Sequence, residues 1–302
     1  MNKIYSFLFP GQGSQFVGMG KNDINNHPLA NKLYEEAFNI LDYDIKQISF
    51  NGPEHLLNET LYTQPAIFIN SIIKDKLLKL NNIIPSMVAG HSLGEYSALV
   101  SCDVLSYKDA LTIIKVRAEE MNNAGVENPG AMFAVFGITK EQSKTICDQK
   151  GTLVAANFNS KEQIVFSGDV DSVKNAIKDC KKNGIKRIFP LKTSAAFHSP
   201  LMKSARKSLT KVIKSIEFKD AKMPIYQNCN PHPETEAINI KSNLLKQLEH
   251  PVYWYDTIIN MSKDNKNKFI EVGPGQVLTK LNNRILSKNC SYTYNTVIHD
   301  DK

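Results

Sequence analysis

The chain reads as a mixed α/β protein, a large sheet domain that carries a smaller inserted unit. Three observations lead there. Apolar strand-like runs alternate with segments of helical periodicity, the pattern left by helices covering a sheet. A short apolar run enters Gly90-His91-Ser92-Leu93-Gly94, and a glycine- and proline-free segment follows, which is the strand–turn–helix setting of a G-x-S-x-G elbow. Between Gly130 and Leu191 the elements fall in the order βαββαβ, the ferredoxin-like arrangement. A length of 302 residues suits one large domain with such an insert.

Composition narrows the class further. A hydrophobic content of 42% with 22% charged residues is that of an ordinary globular protein. No apolar run approaches the roughly 20 residues of a membrane span, and the opening segment, with one lysine and no small-residue cleavage site, reads as a first strand rather than a signal peptide. Cys102, Cys147, Cys180, Cys229 and Cys290 are scattered without C-x-x-C spacing, so neither a disulfide framework nor a metal site is expected, and a reducing cytoplasm fits. The 37 basic and 30 acidic residues leave a net charge of +7. The lysines are dispersed rather than striped with aromatics, which argues against nucleic acid and for an anionic substrate or acidic partner.

Taken in order, residues 3–10 form a buried strand that ends in Pro10-Gly11-Gln12-Gly13-Ser14-Gln15. A plain strand-to-loop turn would use the glycines and the serine, but has no need of glutamine at both 12 and 15; an inward-pointing amide would. A helix is expected from Asn26, as its cap, to about Tyr43, with Pro28 in the first turn. A second runs from Thr63 to Leu80, with Ile69, Ile73, Leu77 and Leu80 on one face. The elbow strand, residues 86–90, follows. Gly90 and Gly94 leave room for a sharp turn, and Ser92 then sits over the positive end of the next helix, where backbone N–H groups face a developing oxyanion. An ordinary glycine turn would give the same five residues, but the flanking elements favour Ser92 as a nucleophile.

The helix from Ser106 to Asn123 places Ala110, Ile113, Ile114 and Met121 on one side, with Arg117 inside that stripe. A guanidinium keeps its proton and is costly to bury alone. Two readings stand: it snorkels out or pairs with a local acid, or it waits in a pocket for a carboxylate in bidentate geometry. Around Ala124–Gly130 the composition turns to Gly, Asn and Pro, marking a boundary. The insert then reads strand 130–138, helix 139–150, strands 152–158 and 163–168, helix 170–183 and strand 185–191, its Lys-rich second helix offering a solvated face. The chain returns through Ala196-Phe197-His198-Ser199, where His198 precedes a helix that Pro200 can start. Of seven histidines it has the best setting for a base, although a loop histidine alone is as readily incidental. A strand near 223–229, a helix ending at Lys246-Gln247-Leu248, a helix opened by Pro251–Trp254, a strand 268–273 and a last helix 276–287 complete the chain.

Together these stretches resemble the malonyl-CoA:acyl-carrier-protein transacylases of bacterial fatty-acid synthesis over nearly the whole chain. Phe9-Pro10-Gly11-Gln12-Gly13-Ser14-Gln15 matches that family's N-terminal signature, Gly90–Glu95 its nucleophile motif, and Val116-Arg117 its arginine helix. Ala196–Ser199 matches its histidine motif, while Gln247-Leu248 with Pro251, Val252 and Trp254, and Glu271–Gly275, match its two C-terminal motifs. The resemblance implies an α/β-hydrolase-like catalytic domain (1–127 and 195–302) with the ferredoxin-like subdomain inserted at 128–194. It implies Ser92 as the nucleophile, His198 as the base, the backbone carbonyl of Gln247 as the histidine's orienter, and the N–H groups of Gln12 and Leu93 as the oxyanion hole. Arg117 would bind the malonyl carboxylate. Phe197 would narrow the acyl pocket, since relatives that favour methylmalonyl carry a smaller residue there. Tyr253 departs from the polar or basic residue that many relatives have before the tryptophan.

The expected partners are malonyl-CoA and an acyl carrier protein, with no cofactor, no metal, no nucleic acid and no membrane, for a monomer in the cytoplasm. A polyketide acyltransferase acting in trans shares all six motifs and is separated only by its genetic neighbourhood. A serine hydrolase or thioesterase shares the elbow but has no use for Arg117, and a binding module that has lost activity has no use for the full set of Ser92, His198, Arg117 and Gln247.

Overall fold

The computed structural model describes residues 5–21, 27–193, 195–264 and 268–300. Its first strand, β1 (Tyr5–Phe9), is buried along its length; Lys3 and Ile4, where the sequence began this strand, lie outside the described residues. β2 (Pro85–Gly90) runs parallel to β1 and sets Gly90 beside Phe9. The inserted stretch then supplies β3 (Gly130–Phe136), β4 (Leu153–Ser160), β5 (Gln163–Asp169) and β6 (Ile188–Pro190). The chain returns with β7 (Ile225–Gln227), β8 (Asn230–Glu234), β9 (Lys268–Glu271) and β10 (Ser291–Thr293). The large sheet has the order β10-β9-β1-β2-β7-β8, parallel except for β8 at one edge. The ends of β1 and β2 therefore open side by side, where open α/β sheets carry their sites.

The small sheet has the order β4-β5-β3-β6 and is antiparallel throughout. With helices Lys140–Cys147 and Val170–Lys182 it is the βαββαβ unit that the sequence predicts. One face packs its own core, Phe133, Val135, Ile164 and Phe166 against Val173 and Ala176. The other face turns Met132, Ala134 and Val165 toward the main core. Its edge strand is sewn to the large domain: Phe158 N donates to Val252 O and Val252 N to Ala156 O, both at 2.9 Å.

Several boundaries differ from the sequence reading, each for a physical reason. The first helix is Pro28–Leu41, and its cap is His27, whose Nδ1 accepts from Leu29 N; Asn26, the expected cap, lies outside the described residues. The long central helix starts at Thr60, before Pro65. Proline there lacks the N–H that would reach Leu61 O, and the Tyr43 hydroxyl donates to that carbonyl instead, at 3.2 Å. This helix is wrapped on all sides from Ala66 to Ile73, so one-face periodicity misplaced Leu80, which is exposed. The arginine helix runs on to Glu127 because Ala124 and Gly125 are buried against the core, and the chain breaks at Asn128. Short elements that carry too few residues for a periodic signal went unread: helices Ile45–Asn51, Glu54–Leu57 and Tyr294–Asp300, and strands β8 and β10.

Candidate active site

β2 ends in a turn with no room for side chains. A Cβ on Gly90 would lie 2.0 Å from the Gly94 carbonyl, and one on Gly94 would lie 2.0 Å from Phe9 O. Between them Ser92 takes a left-handed conformation, φ 51°, which costs a side chain about 1–3 kcal/mol unless the surroundings hold it. Helix Gly94–Ser101 begins immediately after. The hydroxyl thus stands at the head of that helix, at the opening of the parallel strands.

His198 also sits in the left-handed region, φ 56°, on a turn braced by the Ser199 hydroxyl donating to Ala196 O at 2.6 Å. Its Nε2 lies 2.8 Å from Ser92 Oγ. Its Nδ1 faces two carbonyls, Gln247 O at 3.0 Å and His250 O at 3.2 Å. Carbonyls only accept, so the proton belongs on Nδ1 and the Nε2 lone pair points at the serine. Burial first, and the Arg117 cation second, bring the imidazole down to about 3. It is therefore neutral at physiological pH and free to take a proton.

Arg117 is 1% exposed, and among the described residues no acid forms an ion pair with it. The side chain therefore does not snorkel out, and it makes no contact ion pair with a local acid. Its acceptors are neutral: Gln64 Oε1 at 2.6 Å from Nη1, and Ser92 Oγ at 3.2 Å and Gln247 Oε1 at 3.3 Å from Nη2. The guanidinium carbon lies 5.4 Å from the centre of the Tyr96 ring. Glu95 acts on this cation only at a distance, and a desolvated cation whose direct hydrogen-bond acceptors are all neutral favours an anion brought into contact from outside.

These groups line one cleft of about 490 Å³, together with Gln12, Leu93 and Phe197. Neither the Gln12 nor the Leu93 backbone N–H reaches a protein acceptor among the described residues. The Gln12 side chain turns to Thr60 Oγ1 at 3.3 Å, and Gln15 accepts from Gly13 N while donating to Asn58, so it braces the loop. Phe197 is buried in the wall, and Lys280 and Arg284 stand on the cleft's lining as well. His91 turns away from the serine toward the inserted unit, 2.8 Å from Asn159 Oδ1, with its ring 5.4 Å from that of Trp254.

The sequence assigns no role to Gln64, Asn228 or the His250 carbonyl, and includes Glu95 only as part of the nucleophile motif. Gln64 carried a weak signal, an amide placed directly before Pro65 and the apolar run Ala66–Ile69. Asn228 carried none, because its contacts are made across 136 residues. Among the described residues no cluster of His, Cys, Asp and Glu could hold a metal ion, and no helix is long and apolar enough to cross a membrane.

Comparison with known proteins points the same way as the geometry. The acyl transferase domain family matches residues 6–298. A malonyl CoA-acyl carrier protein transacylase of Bacillus subtilis is 42% identical over 285 residues, covering 93% of this chain and 90% of that protein. Among solved structures, an acyl carrier protein S-malonyltransferase from Vibrio cholerae superposes with a TM-score of 0.90 at 36% identity over 96% of both chains. A malonyl-transacylase in complex with its type II polyketide acyl-carrier protein superposes with a TM-score of 0.91 at 35% identity, over 96% of this chain and 95% of that one. A buried serine–histidine–arginine cleft on a matching fold, with relatives of this identity over nearly the full length, leaves one assignment: the chain belongs to the malonyl-CoA–acyl carrier protein transacylase family of acyl transferases.

Proposed function

We propose that the protein moves a malonyl group from malonyl-CoA to the phosphopantetheine thiol of an acyl carrier protein, through an ester on Ser92, to supply fatty-acid elongation. The observation that carries this reading is that one hydroxyl oxygen lies 2.8 Å from His198 Nε2 and 3.2 Å from Arg117 Nη2. A base and a fixed cation then act on the same acyl group.

In the first half-reaction Ser92 Oγ attacks the thioester carbonyl while His198 Nε2 takes its proton. The oxyanion that forms is met by the N–H groups of Gln12 and Leu93. As the carbon–sulfur bond breaks, His198 returns the proton to the departing CoA thiol. In the second half, His198 takes the proton of the carrier's thiol, which attacks the malonyl-Ser92 ester; the new thioester forms and the proton goes back to Ser92. The Gln247 carbonyl keeps the imidazole in the right tautomer, a weaker hold on the imidazolium than an ionised acid would give. Arg117 holds the malonyl carboxylate, and an anchored acyl group leaves little room for productive water. Phe197 narrows the pocket against branched malonyl groups. Residues 128–194 are the inserted subdomain of a cytoplasmic monomer that needs no cofactor of its own, with the carrier bringing the phosphopantetheine.

The test is intact-mass measurement after mixing with malonyl-, methylmalonyl- and acetyl-CoA, with and without holo carrier protein. A malonyl adduct that maps to Ser92 and is discharged onto the carrier is the expected result. Free malonate as the main product would instead make the protein a hydrolase.

A further inference from the structure

We infer that Asn228 is a positioning residue for the nucleophile, a side-chain clamp that holds the elbow in its catalytic shape and is itself held by the buried Glu95. The inference rests on the reading of Ser92 as nucleophile and adds to it the group that keeps that residue in place.

The clamp is built from contacts on both sides of the turn. Asn228 Oδ1 accepts the Ser92 N–H at 2.7 Å, and Asn228 Nδ2 donates to Gly90 O at 2.7 Å. One amide thus grips the last residue of β2 and the nucleophile two residues on. The amide's orientation follows from its neighbours, because a flipped amide would set Nδ2 against the Ser92 N–H. The second Nδ2 hydrogen goes to Glu95 Oε2, and the same oxygen accepts Asn228 N at 2.8 Å. Gln227 Nε2 donates to the other carboxylate oxygen at 3.0 Å. Asn228 and Glu95 are 3% and 0% exposed, so no water replaces these bonds.

The need for a clamp comes from the backbone. Ser92 at φ 51° is a non-glycine residue in the left-handed region, and such a conformation persists only when surrounding contacts over-determine it. The turn also carries the Leu93 N–H, so a relaxed elbow would move the hydroxyl off His198 and tilt an oxyanion donor together. Glu95 is a carboxyl that burial pushes up from its ordinary range and that the donors from Asn228, Gln247 and Gln227 pull back. As an anion it also offsets the Arg117 charge, which it helps to keep protonated. Glu95 lies three residues after the nucleophile, so the motif that supplies the hydroxyl also supplies the anchor of its clamp.

The experiment compares Asn228→Ala, the isosteric Asn228→Asp and Gln227→Ala. Gln227 shares the Glu95 carboxylate and is equally buried, but it does not touch the elbow. Single-turnover acylation by malonyl-CoA is followed by mass, with KM from the steady state and melting temperature measured alongside. For both Asn228 variants we expect acylation to slow on the order of tenfold to a hundredfold, the cost of misplacing a reacting group, with KM within about twofold, because the carboxylate site at Arg117 is untouched. For Gln227→Ala we expect a lower melting temperature and an acylation rate close to wild type. A crystal structure of Asn228→Ala is expected to show Ser92 out of the left-handed region and its hydroxyl away from His198. That structure is read without reference to turnover, so it separates this inference from the assignment of Ser92, which the wild-type adduct tests. Wild-type acylation in both Asn228 variants, an equal loss in Gln227→Ala, or an unmoved Ser92 in the crystal would each overturn the clamp.

Discussion

Ser92, His198 and Arg117 form an arrangement whose electrostatics are set by what the cation faces. In the free enzyme Arg117 opposes protonation of His198, which burial already disfavours, and the imidazole sits at about 3. On the proposed mechanism a malonyl carboxylate would neutralise the guanidinium and make the same histidine a better base, whereas an acetyl group would leave the opposition in place. On that mechanism Arg117 would therefore discriminate in the chemical step as well as in binding. Arg117→Ala should cut the malonyl-over-acetyl preference by at least about tenfold, given the roughly 1.5–3 kcal/mol of a charged hydrogen bond; competitive turnover of the two thioesters measures it. The sign for pH follows from the lowered imidazole. A base must be unprotonated, so wild-type kcat/KM should not fall as pH drops through the ordinary histidine range near 6.5, and its acid limb should lie well below it. Removing the Arg117 charge should move that limb upward, although burial keeps it below the ordinary value. A pH–rate profile of both proteins decides. Gln247 has two separable roles: its carbonyl holds His198, while its side chain donates to Ser92 O at 3.0 Å and accepts from Arg117. Gln247→Ala keeps the first, so acylation should persist while the malonyl preference weakens by about threefold to tenfold, less than the full worth of a charged hydrogen bond because Gln64 still holds the guanidinium.

At the scale of elements, the site is a meeting of ends. The β2 turn presents Ser92, helix Thr60–Leu80 presents Gln64 from its second turn, and helix Tyr107–Glu127 carries Arg117 in mid-length. A charge can be kept in that apolar stripe because three separate elements bring it acceptors: Gln64 on the neighbouring helix, Ser92 on the β2 turn and Gln247 beyond the inserted unit. The elbow depends on β1 as much as on β2, because Gly94 packs against Phe9 O. Gly94→Ala should force that strand away and destabilise the fold by about 1–3 kcal/mol or more, in line with overpacked cores. A thermal melt and the loss of the malonyl adduct together check this; an unchanged melting temperature would mean that the turn has slack it does not display.

For the whole molecule, the site lies where the inserted sheet covers the open end of the large one. The two are joined by the β4–Val252 backbone pairs and by His91 with Asn159. Asn159→Ala should leave the nucleophile intact but loosen the cover, raising KM for malonyl-CoA by a fewfold and increasing amide exchange in β4, with exchange in β1 and β2 unchanged. Equal exchange throughout would mean that the contact does not hold the two units together.

What the sequence by itself determined about this protein was the local chemistry and the order of its elements. The elbow glycines, the Arg117 stripe, the Ala196–Ser199 turn and the βαββαβ alternation each sit within a few neighbouring residues, and local sterics and periodicity make such signals legible. Their convergence could be read only through the likeness to a known family. Tertiary structure decided the rest: that the Ser92 hydroxyl meets an imidazole 106 residues away, that Gln64 shares the Arg117 cation, that His250 adds a second carbonyl, and that Asn228 reaches back to the elbow. Hydrogen bonds between distant residues leave no periodic trace in a chain. Their partners are chosen by the packing of the sheets, and packing is a property of the whole fold.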